Sequence, residues 1–124
     1  MIPVSFKEDN ESTEDIEGVL VRRVHPAMFA VVVKAAPAWE ACGATELVVT
    51  AFANGKHRVG SRHLANICTA VDLRTHNLPD EKSRVRARKL LATAVGPDFK
   101  VLYEYPRTPD AHIHVSYIAD GKPA

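Results

Sequence analysis

The sequence predicts an α+β domain, a small and mostly antiparallel sheet with helices packed on one face. Two observations lead there. Apolar residues recur at helical spacing in His25 to Gly43 and in Asn77 to Gly96, and β-rich runs flank and separate these segments in the order helix, strand, strand, helix, strand, strand. A third observation bounds the domain count: 124 residues suffice for one hydrophobic core and not for two. One domain is therefore expected over residues 20–124. Residues 1–19 are polar and acidic, with Gly18 as punctuation, and read as a flexible or loosely docked lead-in.

The first helix is predicted in "HPAMFAVVVKAAPAWEACG", where Pro26 suits the first turn and Gly43 the position just past the end. Met28, Val32, Ala35, Trp39 and Cys42 make its buried stripe, and Pro37, lacking an amide proton, should kink it. "ELVVTAFANGKHRVG" is β-rich and contains Asn54-Gly55, a pair suited to a tight turn. "TAVDLR" reads as a short strand that carries Asp72 on one face and Leu73 on the other. The second helix is predicted over Asn77 to Gly96, opened by Pro79, Asp80 and Glu81, with Val85, Arg88, Leu91, Ala92 and Val95 as its inner stripe. "FKVLYEY" and "HIHVSYI" are two further strands joined by the loop "PRTPDA".

Composition narrows the function classes. A formal net charge of +1 gives no whole-molecule attraction to nucleic acid, and the basic run "KSRVRARK" reads as the solvated side of a helix. No apolar run reaches the roughly 20 residues that span a bilayer, and the start lacks the basic and apolar regions of a signal peptide. Neither nucleic acid nor membrane is an expected partner. Cys42 and Cys68 are too few for a disulfide framework or a paired-cysteine zinc site and read as buried free thiols.

Strand alternation places His112, His114 and Ser116 on one face of the last strand, with Ile113, Val115 and Tyr117 on the other. Two imidazoles spaced this way stand roughly 7 Å apart at the backbone, close enough to share a metal ion. His63 and Asp72, with one of the pair, would give zinc two nitrogens and an oxygen and leave a fourth position open. That is the arrangement of a catalytic zinc site, which brings the pKa of bound water to about 7.

The ordered set "GKHRVGSRH", "AVDLRT" and "HIHV" closely resembles the zinc D-Ala-D-Ala carboxypeptidases and peptidoglycan L,D- or D,D-endopeptidases of the Hedgehog/DD-peptidase fold, particularly compact phage members, over about His25 to Tyr117. The resemblance implies His63, Asp72 and His114 as zinc ligands, with His112 beside the scissile carbonyl to steady its developing charge. In that family the catalytic acid commonly lies three residues before the last histidine, where this chain has Ala111. Asp110 is the first choice of general base and Glu104, whose strand alternation places it with Leu102 and Lys100, the second; His112 is the third. Ser61 could hydrogen-bond the metal site, and Arg62 is the guanidinium chosen to meet a substrate carboxylate, with Arg58 and Arg74 in the same class.

The resulting expectation is a zinc metallopeptidase, a monomeric hydrolase without a wall-binding module, that cuts peptidoglycan stem or cross-link peptides. It would be made in the cytoplasm and reach the periplasmic wall by holin-type release or as part of a phage particle. The alternative is a degenerate member, motivated by Ala111 and by the glycine-free "LANICTA" between His63 and Asp72, that binds the wall or serves a phage structure.

Overall fold

The computed structural model describes residues 1–7, 23–52 and 67–119. It has the α+β architecture: a five-stranded sheet and two helices. The strands are β1 (Val4–Phe6), β2 (Leu47–Ala51), β3 (Ala70–Arg74), β4 (Phe99–Glu104) and β5 (His112–Tyr117), and the helices are α1 (Pro26–Ala41) and α2 (Glu81–Val95). Their order in the sheet is β1-β2-β3-β5-β4, with β1 parallel to β2 and every other pairing antiparallel.

Strand β1 falls inside the stretch read from sequence as a lead-in. Its three residues are too few for a legible alternation, and its register with Leu47, Val48 and Val49 comes from a strand some forty residues away. Ser5 Oγ donates to Glu46 Oε2 at 2.7 Å, which reinforces the pairing.

Helix α1 starts where Pro26 places it. His25 is the N-cap, accepting the Ala27 amide on Nδ1 at 3.0 Å, and its ring lies 4.9 Å from that of Tyr117. The helix continues through Pro37 to Ala41. All five residues of its predicted stripe are buried, Met28, Ala35 and Trp39 completely. Gly43 follows at φ 96°, a left-handed conformation that glycine adopts without the strain a Cβ would cause.

Helix α2 begins later than the sequence pattern suggests. Asp80 is extended at φ −153° and caps the helix by accepting the Ser83 amide at 2.7 Å, and that bond holds the Asp80 carboxyl below the usual carboxylate range. The inner face also differs. Leu91 and Val95 are buried with Ala87, whereas Val85 is 40% exposed. At 3.6 residues per turn Val85 lies about 120° around the helix from Leu91, while Ala87 lies within about 40°. Two apolar residues fix the phase, and the small Ala87 fits where the helix approaches its neighbours.

Both helices close one side of the sheet. Val49 of β2, Val71 and Leu73 of β3, Val101 of β4, and Ile113 and Val115 of β5 join the helix stripes in a single core. Three arginines of the basic run are tied to the fold: Arg84 Nε donates to Thr75 O at 3.1 Å, and Arg86 and Arg88 reach Ala41 O and Val101 O at 3.5 and 3.4 Å. Cys42 and Cys68 are both buried free thiols, and burial pushes the Cys42 thiol up. Among the described residues, no helix is long and apolar enough to cross a membrane.

Candidate metal centre

The residues that alternate with the core side chains form the other face of β3, β5 and β4. Cross-strand register arranges them in rows: Arg74, His112 and Glu104; then Asp72, His114 and Leu102; then Ala70, Ser116 and Lys100. Directly opposed side chains on one face lie within about 5.5 Å at Cβ. The first two rows therefore bring two carboxylates and two imidazoles together from three strands.

Each member is held by identifiable contacts. The Arg74 carbonyl accepts the Trp39 indole N–H at 3.0 Å, fixing the end of β3 to α1. The buried Thr75 hydroxyl donates to Ala111 O at 3.1 Å and ties that end to the start of β5. A bulge in β2 puts Ala51 opposite Asp72, and Thr50 Oγ1 donates to the Asp72 carbonyl at 3.3 Å. Between β4 and β5, Thr108 Oγ1 donates to Tyr105 O at 2.7 Å and accepts the Asp110 amide at 3.2 Å. This turn, with Tyr105 and Arg107 at positive φ, aims the Asp110 carbonyl at His112.

His114 Nδ1 lies 2.8 Å from Asp72 Oδ1 and its Nε2 lies 3.2 Å from Ser116 Oγ. His112 Nε2 lies 3.0 Å from Glu104 Oε1 and its Nδ1 lies 2.8 Å from Asp110 O. The two pairs interlock, with His112 Nε2 3.8 Å from Asp72 Oδ1 and His114 Nδ1 3.9 Å from Glu104 Oε1. Exposure rises outward through the cluster, from 13% for the Asp72 side chain to 18% for His114, 20% for His112 and 37% for Glu104.

The Asp110 carbonyl can only accept, so His112 Nδ1 carries a proton. Its Nε2 then faces a carboxylate oxygen at 3.0 Å, and two lone pairs at that distance repel unless a cation lies between them. A second imidazole proton or a metal ion meets that demand. The donor set suits the metal. Ligands at 2.0–2.1 Å from a common tetrahedral ion stand about 3.3 Å from one another, and His112 Nε2 lies 3.0 Å from Glu104 Oε1 and 3.8 Å from Asp72 Oδ1, on either side of that value. Asp72, Glu104 and His112 in particular lie close enough to bind one metal ion. A metal-binding imidazole typically donates its other N–H to a carbonyl, and Asp110 O fills that role for His112.

The structure thus unites five of the residues chosen from sequence, with roles redistributed among them. Asp72 and His114 are paired, and His112 and Glu104 sit beside them. Asp110 enters through its backbone, because its side chain is exposed on the turn while strand register puts Glu104 opposite His112. Ala111, just ahead of β5, is buried at 4% exposure and carries no acid, and its carbonyl accepts the Thr75 hydroxyl. His63, Ser61, Arg62 and Arg58 lie outside the described residues. Thr108 and Ser116 orient the two imidazoles, a role not assigned from sequence. Ser116 could have been found as the next residue on the histidine face, whereas Thr108 acts through turn geometry alone. Comparison with family descriptions, curated proteins and solved structures returns no match.

Proposed function

We propose that this protein is a zinc peptidase that hydrolyses a peptide bond in the stem or cross-link peptides of bacterial peptidoglycan. The observation that carries the reading is the His112 and Glu104 contact at 3.0 Å beside the Asp72 and His114 contact at 2.8 Å, two imidazoles and two carboxylates on one sheet face. The resemblance of "SRH", "AVDLR" and "HIHV" to the Hedgehog/DD-peptidase family supports zinc and the substrate class.

In this reading Asp72 and His114 hold the ion together with His63. When bound, the ion supplies Lewis acidity, polarising the scissile carbonyl and making water a nucleophile near neutral pH. Glu104, the most exposed member of the cluster, is the general base. It takes a proton from the attacking water and delivers it to the leaving amine. His112, oriented by the Asp110 carbonyl at Nδ1, presents its Nε2 beside Glu104. An N–H at that nitrogen would donate to the oxygen on which charge develops. The protein would reach its substrate after holin-type release or on a phage particle.

The test combines metal analysis with hydrolysis. Stoichiometric zinc and lysis of permeabilised Gram-negative cells are expected of the unaltered chain. Glu104→Gln separates base from ligand: retained zinc with hydrolysis lost marks a base, whereas loss of zinc moves Glu104 into the ligand set. Bound zinc without hydrolysis of any wall peptide by the unaltered chain would overturn the peptidase reading in favour of a non-catalytic wall-binding or phage structural module.

A further inference from the structure

Strand β4 ends the sheet, and among the described residues β5 is its only strand partner. Its register shows which backbone groups are committed. The Ile118 amide donates to Asp98 O at 2.8 Å, so the bonds to β5 fall at Asp98, Lys100, Leu102 and Glu104, and the N–H and C=O groups of Phe99, Val101 and Tyr103 point outward. Two of these have contacts within the chain, both long: the Phe99 amide reaches Gly96 O at 3.4 Å, and Val101 O accepts Arg88 Nη1 at 3.4 Å. An edge of regularly spaced donors and acceptors is a template for another strand.

On the polar face the same strand reads Lys100, Leu102, Glu104: a cation, an apolar residue that is 37% exposed, and an anion. That order is self-complementary under a two-fold axis. Symmetric antiparallel registers that engage both Val101 and Tyr103 are centred on Val101, Leu102 or Tyr103. The first sets Glu104 against the like charge of Asp98, and the last sets Lys100 against Pro106. Centred on Leu102, Val101 and Tyr103 exchange N–H and C=O bonds across the axis, the Leu102 side chains meet at it, and Lys100 opposes Glu104 on both sides. Only this register joins the hydrogen-bond pattern to opposite charges at directly opposed positions.

We propose that β4 pairs antiparallel with β4 of a second copy about a two-fold axis at Leu102, joining two five-stranded sheets into one. The partner that this edge fits is the chain itself, in place of the monomer expected from sequence. Glu104 faces His112 through Oε1 at 3.0 Å, and Lys100 of the second copy arrives on the side of Glu104 away from β5. The two polar clusters then lie on one continuous sheet face, and each receives a cation from the other copy. The inference does not depend on the peptidase reading, since association is measured without substrate.

The experiment is sedimentation equilibrium of the full chain over a concentration series. A single strand edge makes a small interface, so half-association is expected on the order of tens of micromolar and should weaken with added salt. Lys100→Glu sets like charges opposite each other on both sides of the axis and should weaken association by about tenfold or more, as should Glu104→Lys. The double variant with Lys100→Glu and Glu104→Lys should recover it, because the exchange restores both pairs, a result that a folding defect does not mimic. In the unaltered chain the Val101 and Tyr103 amides should gain protection from hydrogen exchange as concentration rises. A monomer at every concentration up to about 1 mM overturns the proposal and marks the edge as guarded by Arg88 and Lys100. A dimer in which those two amides gain no protection, or one that Lys100→Glu leaves unchanged, overturns it as well, since its contact then lies elsewhere.

Discussion

Strands β3 and β5 present two faces that share one backbone and obey different rules. On one, Val71, Leu73, Ile113 and Val115 contact a core of more than twenty buried residues, where each side chain has many interchangeable neighbours. On the other, Asp72, His112 and His114 depend on a few directional partners at 2.8 to 3.2 Å. Non-directional burial tolerates substitution as long as volume is kept, whereas directional contacts between charged groups do not. Stability should therefore reside mainly in the first face, and chemistry in the second.

The largest effect expected from breaking this division is on the core side. Trp39→Ala removes a fully buried ring and its bond to the Arg74 carbonyl, and should cost about 3–5 kcal/mol in chemical unfolding. Because Trp39 anchors the end of β3, metal affinity should fall with it. On the polar face, Asp72→Asn should leave the unfolding midpoint close to that of the apo protein. Zinc content and hydrolysis should both drop, hydrolysis by about a hundredfold or more, equivalent to about 2.7 kcal/mol. A large loss of stability in Asp72→Asn without loss of zinc would erase the contrast between the faces.

Smaller changes sharpen it. Ser116→Ala removes the hydroxyl beside His114 Nε2 and should weaken zinc binding by about tenfold, read by competition with a chelator. The Asp80 cap supplies a pH signature on the helical side. Its folded carboxyl is held below its unfolded value of about 3.9, so its stabilisation is present above that pH and is lost as pH falls through the folded value. The stability difference between the unaltered chain and Asp80→Ala should accordingly shrink toward zero in acid. Tyr103 gives the opposite edge. Burial, followed by its hydrogen bond to Glu81, raises its hydroxyl, so stability should decline as pH climbs past about 10, and Tyr103→Phe should flatten that decline. Smallest of all, Val85→Ala should change stability by less than about 0.5 kcal/mol, because Val85 is 40% exposed.

The difference between Val85 and the stripe of α1 illustrates how far pattern reading reaches. In α1 five buried residues agree on one phase, and the sequence shows it. In α2 the basic residues leave few apolar markers, so the phase was settled by the neighbours that Leu91 and Val95 meet. Strand β1 was missed for a similar reason, since three residues carry too little local signal to announce a distant partner.

The site divides along the same line. Strand alternation is local, so the sequence alone determined that His112, His114 and Ser116 share a face, that Asp72 opposes Leu73, and that Glu104 is set apart from Val101 and Tyr103. Pairing between strands is non-local: His114 meets Asp72 across 42 positions of sequence, and only the assembled sheet chose Glu104 over the Asp110 side chain as the carboxylate beside His112. The physical reason is that a side chain's direction follows from the torsions of its own strand, whereas its partner follows from a register fixed by core burial on the opposite face and by the Thr108 turn at the strand's end.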